Sequence, residues 1–280
     1  MWKRQMIITA LGEFEVFVQG LGEPVCITHL YSEFNELGYY FADTFINDFK
    51  VYLVNLKGSG RSSKPVVGAE MSMKESVVDL EAIREELGLE QWGFAGHSTG
   101  GMLGLVYATC FPDSLSKVMV GGATATNKYM EHEGSMYSPS SPLNKKWKEI
   151  FTILESSDQT TEIKRSANRE WTDMSLYDKR KREGYFQQPS SGRVVQRRLD
   201  YFSFYDLPNF DIRDELTRVR IPAIVYCGRY DAQCPLNFSE DIDVRLKNSK
   251  LYIFEESNHF PYLEEKEGFM TMVSDFRMMN

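Results

Sequence analysis

Cysteine and long apolar runs are scarce in this 280-residue chain, and each shortage excludes a class of structure. The four cysteines, Cys26, Cys110, Cys227 and Cys234, lack the Cys-x-x-Cys spacing of metal sites, and we expect free, buried thiols in a cytoplasmic protein. No apolar run approaches the roughly 20 residues of a membrane helix. The apolar run near Met1 is too short for a secretion signal, so none is expected.

Positive charge is also in short supply, with 32 Lys and Arg against 40 Asp and Glu and a net charge of −8. This balance argues against a general nucleic-acid-binding protein, which needs a basic surface. The one basic cluster, residues 179–182, is short and is expected to be a solvated helix face. Internal repeats and low-complexity tracts are absent, and 42% apolar residues in a chain of this length can bury a sizeable core.

What the chain does have is a regular alternation of buried strands and helices. Two strands, 5–9 and 13–19, open it, and strand and helix patterns then alternate from 24 to 124. The expected helices include 34–45, from its apolar spacing, and 71–89, with Ser72 and Glu75 as a capping box. This order predicts an α/β fold with a mostly parallel eight-stranded sheet and crossover helices.

One segment interrupts the alternation and divides the chain. Residues 126–206 carry no buried-strand pattern, are rich in aromatic residues and are expected to be helical in pieces, whereas the strand pattern resumes at 221. Residues 1–125 and 207–280 are therefore expected to form the core. Residues 126–206 are expected to form a helical cap or lid at the sheet edge where ligands bind. A separate second domain is the alternative.

The segment Gly96–Gly100, Gly-His-Ser-Thr-Gly, lies between a short apolar strand and a helix of small and apolar residues. Such a strand-to-helix turn exposes a serine in a strained conformation, and the residues two before and two after it must be small. Ser98 is therefore the candidate nucleophile. His97 is interpreted as structural, with a side chain pointing away from the site.

A serine nucleophile needs a base, and the base needs an anion that fixes its tautomer. Asp231 and His259 each follow a predicted strand, and the order Ser98, Asp231, His259 is typical of an α/β hydrolase. The two N–H groups of the oxyanion hole are expected from Thr99 and from Leu30 or Tyr31.

No cofactor or metal is expected. The loop from Gly58 to Gly60, Gly-Ser-Gly, lacks the third glycine of a dinucleotide fingerprint, and Pro65 stands where a helix should begin. The loop also lacks the Gly-Lys-Ser/Thr ending of a phosphate-binding P-loop. We therefore predict a small-molecule or short-peptide substrate, with no nucleic-acid or membrane partner and with the oligomeric state left open.

The chain resembles the α/β-hydrolase-fold serine hydrolases and, most of all, the proline iminopeptidase group. The segment Gly228–Pro235, Gly-Arg-Tyr-Asp-Ala-Gln-Cys-Pro, is similar to the Gly-Arg-Tyr-Asp-x-x-Cys-Pro of that group. The resemblance implies hydrolysis through an acyl-enzyme and the release of N-terminal proline. Where the group has His-Gly-Gly-Pro-Gly, residues His29–Glu33 read His-Leu-Tyr-Ser-Glu, which reshapes the oxyanion loop.

The reshaped loop keeps other activities open. A carboxylesterase, a lactonase or a C–C bond hydrolase acting on a small, partly apolar substrate is the alternative within the same chemistry. A non-catalytic ligand-binding protein on the hydrolase fold is the alternative from another class.

Overall fold

Ten strands are present in the computed structural model, which describes residues 1–156 and 158–279. In chain order they are β1 Lys3–Thr9, β2 Gly12–Gln19, β3 Glu23–Ile27, β4 Ser32–Glu33, β5 Phe49–Val54, β6 Trp92–His97, β7 Leu115–Gly121, β8 Arg193–Val194, β9 Ala223–Gly228 and β10 Ser249–Phe254. Eight of them form one sheet in the order β1-β2-β5-β3-β6-β7-β9-β10. Within this sheet only β1–β2 and β2–β5 pair antiparallel, so the predicted mostly parallel eight-stranded sheet is confirmed.

Helices connect the strands, and the described residues contain eleven α-helices. They are α1 Tyr40–Asp43, α2 Met73–Glu86, α3 Thr99–Cys110, α4 Asn144–Glu155, α5 Thr161–Met174, α6 Arg182–Tyr185, α7 Gln196–Tyr201, α8 Arg213–Leu216, α9 Leu236–Arg245, α10 Pro261–Glu264 and α11 Lys266–Met278. Within the described ranges, no helix is both long and apolar enough to cross a membrane.

Each face of the sheet carries its own apolar core. The buried side chains of α2, α3 and α9 pack on one face, and those of α1 and α11 pack on the other. The central strands are buried on both faces, as in β6 and β9, where every residue is buried. Burial on both faces explains why these strands read as continuous apolar runs rather than as alternating patterns.

The helix predicted over 34–45 is wrong, because only its end is helical. The side chain of Asn55 binds both backbone groups of Phe34, with its Oδ1 2.7 Å from the N–H and its Nδ2 3.0 Å from the C=O. The chain then turns at Gly38, whose φ is +78°, before α1 begins at Tyr40. The apolar residues of this stretch, Phe34, Phe41 and Phe45, are nevertheless fully buried.

Two smaller expectations also need correction. Ser72 caps α2 through its side chain, 3.2 Å from the N–H of Glu75, but its own N–H donates to the C=O of Ala69. The capping box is therefore half formed, since no donor is left for the Glu75 carboxylate. All four cysteines are free, but Cys110, at the end of α3, is exposed rather than buried.

Residues 126–206, the inserted segment, add no strand to the main sheet where the structure describes them. The start of the segment runs beside the residues that follow its end, because Thr126 bridges Asp211 and the N–H of Asn127 donates to the C=O of Phe210. Within the segment, β8 pairs with β4 of the loop that follows β3. The inserted segment thus leaves the sheet at one point and returns to contact the loop at the end of a central strand.

Candidate active site

Ser98 lies in a sharp turn between β6 and α3. Its φ and ψ are +57° and −127°, and it is the one non-glycine residue with a positive φ among those described. Such a conformation costs an L-residue on the order of 1–3 kcal/mol and persists only where the surrounding structure imposes it. The N–H of Ser98 is held by the C=O of Gly121 at 2.9 Å, and the residue remains partly exposed.

Two glycines make this turn possible. A Cβ on Gly96 would lie 2.1 Å from the C=O oxygen of Gly100, and a Cβ on Gly100 would lie 2.4 Å from that of Thr28. Both positions therefore exclude any side chain, as expected from the spacing of the sequence motif. The second contact also brings the start of α3 against the loop that follows β3.

Asp231 and His259 are brought together at the adjacent ends of β9 and β10. The Oδ2 of Asp231 lies 2.8 Å from the Nδ1 of His259, and both side chains are buried. The other oxygen, Oδ1, accepts the backbone N–H groups of Gln233 and Cys234, each at 2.8 Å. Because the carboxylate accepts, Nδ1 carries the proton and Nε2 is left free to accept one.

The Ser98 turn lies next to this pair. The C=O of Gly121 binds the N–H of Ser98, and Gly122 is the next residue. A Cβ on Gly122 would lie 3.1 Å from Cε1 of His259. Of the hydrogen bonds in the described residues, none yet joins Ser98 to His259, whose side chain bonds through Nδ1. In enzymes without substrate, such a bond is often long and tightens when substrate binds.

The expected oxyanion donors also lie close together. Thr99 is the first residue of α3, where backbone N–H groups have no partner within the helix. Its side chain reaches the loop after β3, because Oγ1 is 3.0 Å from Nε2 of His29. In that loop the C=O of Tyr31 accepts the N–H of Val195 at 2.8 Å, whereas the N–H groups of Leu30 and Tyr31 have no acceptor among the described residues.

His29 has a role that was missed from the sequence. Its Nδ1 lies 2.9 Å from the hydroxyl of Ser32 and its Nε2 lies against Thr99, so one ring joins the oxyanion loop to the residue after Ser98. Burial, with smaller contributions from His259 and Arg198, lowers the pKa of His29 to about 3, and the ring is therefore neutral. The available signal was its position at the end of a buried strand.

His97 does not point away from the site as expected. Its ring lies behind that of His259, with 4.6 Å between centroids, and stacks on Tyr226, whose hydroxyl is 3.0 Å from Nδ1. Burial lowers the pKa of His97 well below its usual value. The residue therefore presents a neutral, fixed surface to His259.

The inserted segment contacts both loops that carry the pair. The C=O of Ser175 accepts the backbone N–H of His259 at 3.1 Å, and its hydroxyl accepts Nε2 of Gln233 at 2.9 Å. The hydroxyl of Tyr137 donates to Oε1 of the same glutamine at 2.6 Å. No cluster of three His, Cys, Asp or Glu side chains in the described parts of the chain could hold a metal ion.

Comparison with known proteins identifies the fold family. A family model described as alpha/beta hydrolase fold matches residues 16–266. The solved structure of an alpha/beta fold family hydrolase from Bacillus anthracis strain Sterne is 44% identical, covers 99% of both chains and has a TM-score of 0.97. A proline iminopeptidase of Heyndrickxia coagulans is 24% identical over 82% of this chain and 81% of its own length. A 2-hydroxy-6-oxo-2,4-heptadienoate hydrolase of Pseudomonas putida is 25% identical over 81% of this chain and 78% of its own.

Proposed function

The chain is a hydrolase of the alpha/beta hydrolase fold family, and from that premise we propose that it is a serine hydrolase that works through an acyl-enzyme. The observation that carries the proposal is the 2.8 Å contact between Asp231 and His259 beside the strained turn of Ser98. An imidazole whose Nδ1 is held by a carboxylate and a partly exposed serine beside it are the parts that nucleophilic catalysis needs.

In the proposed mechanism, Ser98 Oγ attacks the substrate carbonyl while Nε2 of His259 takes its proton. Asp231 stabilises the imidazolium that forms, and the backbone N–H groups of Thr99 and of Tyr31 or Leu30 bind the oxyanion. His259 then protonates the leaving group, which departs and leaves an ester on Ser98. Water, deprotonated by the same histidine, hydrolyses this ester and restores the hydroxyl.

The first candidate substrate is a peptide or amide with N-terminal proline. It is supported by the segment Gly228–Pro235 and by the relatives named proline iminopeptidase.

We propose that the inserted segment acts as the cap over this substrate, because it contacts the loops of both Asp231 and His259. The four unpaired cysteines support a cytoplasmic location.

The second candidate is an ester, a lactone or a C–C bond substrate without a charged amino group. It is favoured by the ion pairs of the inserted segment, where Glu131, Glu170 and Asp173 are each paired with a basic side chain. A carboxylate that is already paired is a poorer ligand for a substrate ammonium group. The similarity to the 2-hydroxy-6-oxo-2,4-heptadienoate hydrolase of Pseudomonas putida also supports this candidate.

The deciding experiment measures hydrolysis of a proline arylamide and of a short-chain aryl ester by the wild type and by Ser98→Ala. Faster arylamide release that is lost in the variant would support the peptidase, and ester turnover alone would support the second candidate. A fluorophosphonate probe should label the wild type and leave Ser98→Ala unlabelled. Full labelling of the variant would overturn the proposed nucleophile, and ligand-induced thermal stabilisation without turnover would favour a binding protein.

A further inference from the structure

Arg198 of α7 is a charged residue of the inserted segment that reaches deep into the core. It is 1% exposed. Its Nη1 donates to the C=O of Lys57 at 2.8 Å, and its Nη2 donates to the hydroxyl of Ser76 at 2.8 Å and to the C=O of Met71 at 3.3 Å. Its Nε donates to the C=O of Leu30, in the oxyanion loop.

This last bond fixes the direction of a neighbouring N–H group. The C=O of Leu30 and the N–H of Tyr31 belong to one peptide unit, which is planar and trans, so the two groups point in opposite directions. An acceptor held on Arg198 therefore turns the N–H of Tyr31 away from Arg198. That N–H has no acceptor among the described residues, which leaves it available to a ligand.

A second bond from the inserted segment holds the next peptide unit. The N–H of Val195 donates to the C=O of Tyr31 at 2.8 Å, beside the pairing of Ser32 with Val194. We propose that Arg198 and Val195 are positioning residues that aim the N–H of Tyr31 at the oxyanion. The inference rests on the proposed serine hydrolase, and it selects Tyr31 over Leu30 as the second oxyanion donor.

The sequence of the loop explains why such a brace is useful. Leu30 and Tyr31 stand where the proline iminopeptidase group has two glycines, and they allow fewer backbone conformations. The bonds from Arg198 and Val195 hold the loop in one of these. A planar guanidinium presents several donors in a rigid fork, which suits three carbonyl groups and one hydroxyl. Burial lowers the pKa of Arg198 to about 10, and nearby Asp79 and Asp206 oppose that shift, so the side chain stays charged at neutral pH.

The test compares Arg198→Lys with Arg197→Lys, a neighbour on the same helix that is exposed. Arg198→Lys keeps the charge but loses the fork. Because removing an oxyanion donor costs about 10²–10³ in kcat, misdirecting one should lower kcat by about 10- to 100-fold with little change in KM. The affinity for a trifluoromethyl ketone, which forms an oxyanion on Ser98, should fall by a similar factor. The affinity for an uncharged amide of the same shape should not change, and Arg197→Lys should match the wild type.

Val195→Pro supplies a second variant if Arg198→Lys does not fold. It removes the N–H that holds Tyr31, at a φ of −94° that lies about 15° beyond the usual range of proline. It should lower kcat and ketone affinity in the same sense. The inference would be overturned if Arg198→Lys had the same kcat and ketone affinity as Arg197→Lys. It would also be overturned if Val195→Pro matched the wild type in both quantities. In either case Ser98→Ala would still be inactive, so the proposed function would stand. An active Ser98→Ala would instead overturn the proposed function and, with it, this inference.

Discussion

The rings of His97 and His259 are in contact, with 4.6 Å between their centroids and 52° between their planes. His97 is thus the residue that precedes the proposed nucleophile in sequence and supports the proposed base in space. Because both rings are buried, a positive charge on either one would repel a charge on the other. This relationship links the protonation of the site to the stability of the fold.

We expect the free energy of unfolding to fall as the pH falls below about 6.5. Burial holds the pKa of His29 and His97 below the value of the unfolded chain. At pH values between the folded-state and unfolded-state pKa, the unfolded state binds protons that the folded state does not, and this favours unfolding. His97→Asn should therefore flatten the profile by up to about 1.4 kcal/mol per pH unit. Denaturant titrations between pH 7.5 and 4.5 measure this slope.

Tyr226→Phe is the control for that measurement. It removes the hydroxyl that bonds His97 but keeps the titrating ring, so it should lower the free energy of unfolding by about 1 kcal/mol with the slope unchanged. A slope for His97→Asn equal to that of the wild type would show that His97 accepts a proton in the folded state.

Replacing Ser98 by glycine should stabilise the protein while it abolishes turnover. Glycine adopts a φ of +57° without the steric cost that serine and alanine bear. The free energy of unfolding should therefore be about 1 kcal/mol higher for Ser98→Gly than for Ser98→Ala. Both variants lack the hydroxyl, so the difference between them reports the strain relieved at the positive φ, less the extra unfolded-state entropy of glycine of about 0.5–1 kcal/mol. A Ser98→Gly variant less stable than Ser98→Ala by that amount would show that this turn is not strained.

Asp231→Asn should lower kcat by about 10⁴, the loss known for this change in a Ser-His-Asp triad. The amide oxygen can keep the two backbone N–H groups that Oδ1 binds. Its NH₂ then faces Nδ1 of His259, which must accept, so the proton moves to Nε2 and the ring no longer serves as a base. Steady-state turnover and the rate of fluorophosphonate labelling both measure this, and a loss below tenfold would contradict the assigned role.

Thr99→Val should be more harmful than Thr99→Ser. Valine removes the hydroxyl that bonds Nε2 of His29 and leaves a buried nitrogen unpaired, at a cost of about 1–3 kcal/mol of unfolding free energy. Serine keeps the hydroxyl and loses only a methyl group. Thermal and denaturant unfolding of the two variants provide the comparison. If both are equally stable, the His29 ring does not depend on Thr99.

The sheet could be predicted from sequence because its central strands are continuous apolar runs separated by helical patterns. Ser98, Asp231 and His259 could be proposed because Ser98 directly follows β6, and the other two lie in the loops after β9 and β10. The non-helical conformation of Phe34 could not be predicted, since it depends on the side chain of Asn55, 21 residues away. Arg198 was missed for the same reason, because its bond to Leu30 spans 168 residues and no local pattern marks a buried arginine.

The start of the inserted segment lies beside the chain that follows its end, where Thr126 bridges Asp211. The segment could therefore be exchanged as a unit, because the gap left in the chain is short and the main sheet takes no strand from the described part of the segment. The exchange has one condition, since the bonds from Val195 and Arg198 to the oxyanion loop leave with the segment. Chimeras that combine this sheet with another protein's insertion should fold and yet remain poor catalysts until those two anchors are grafted back.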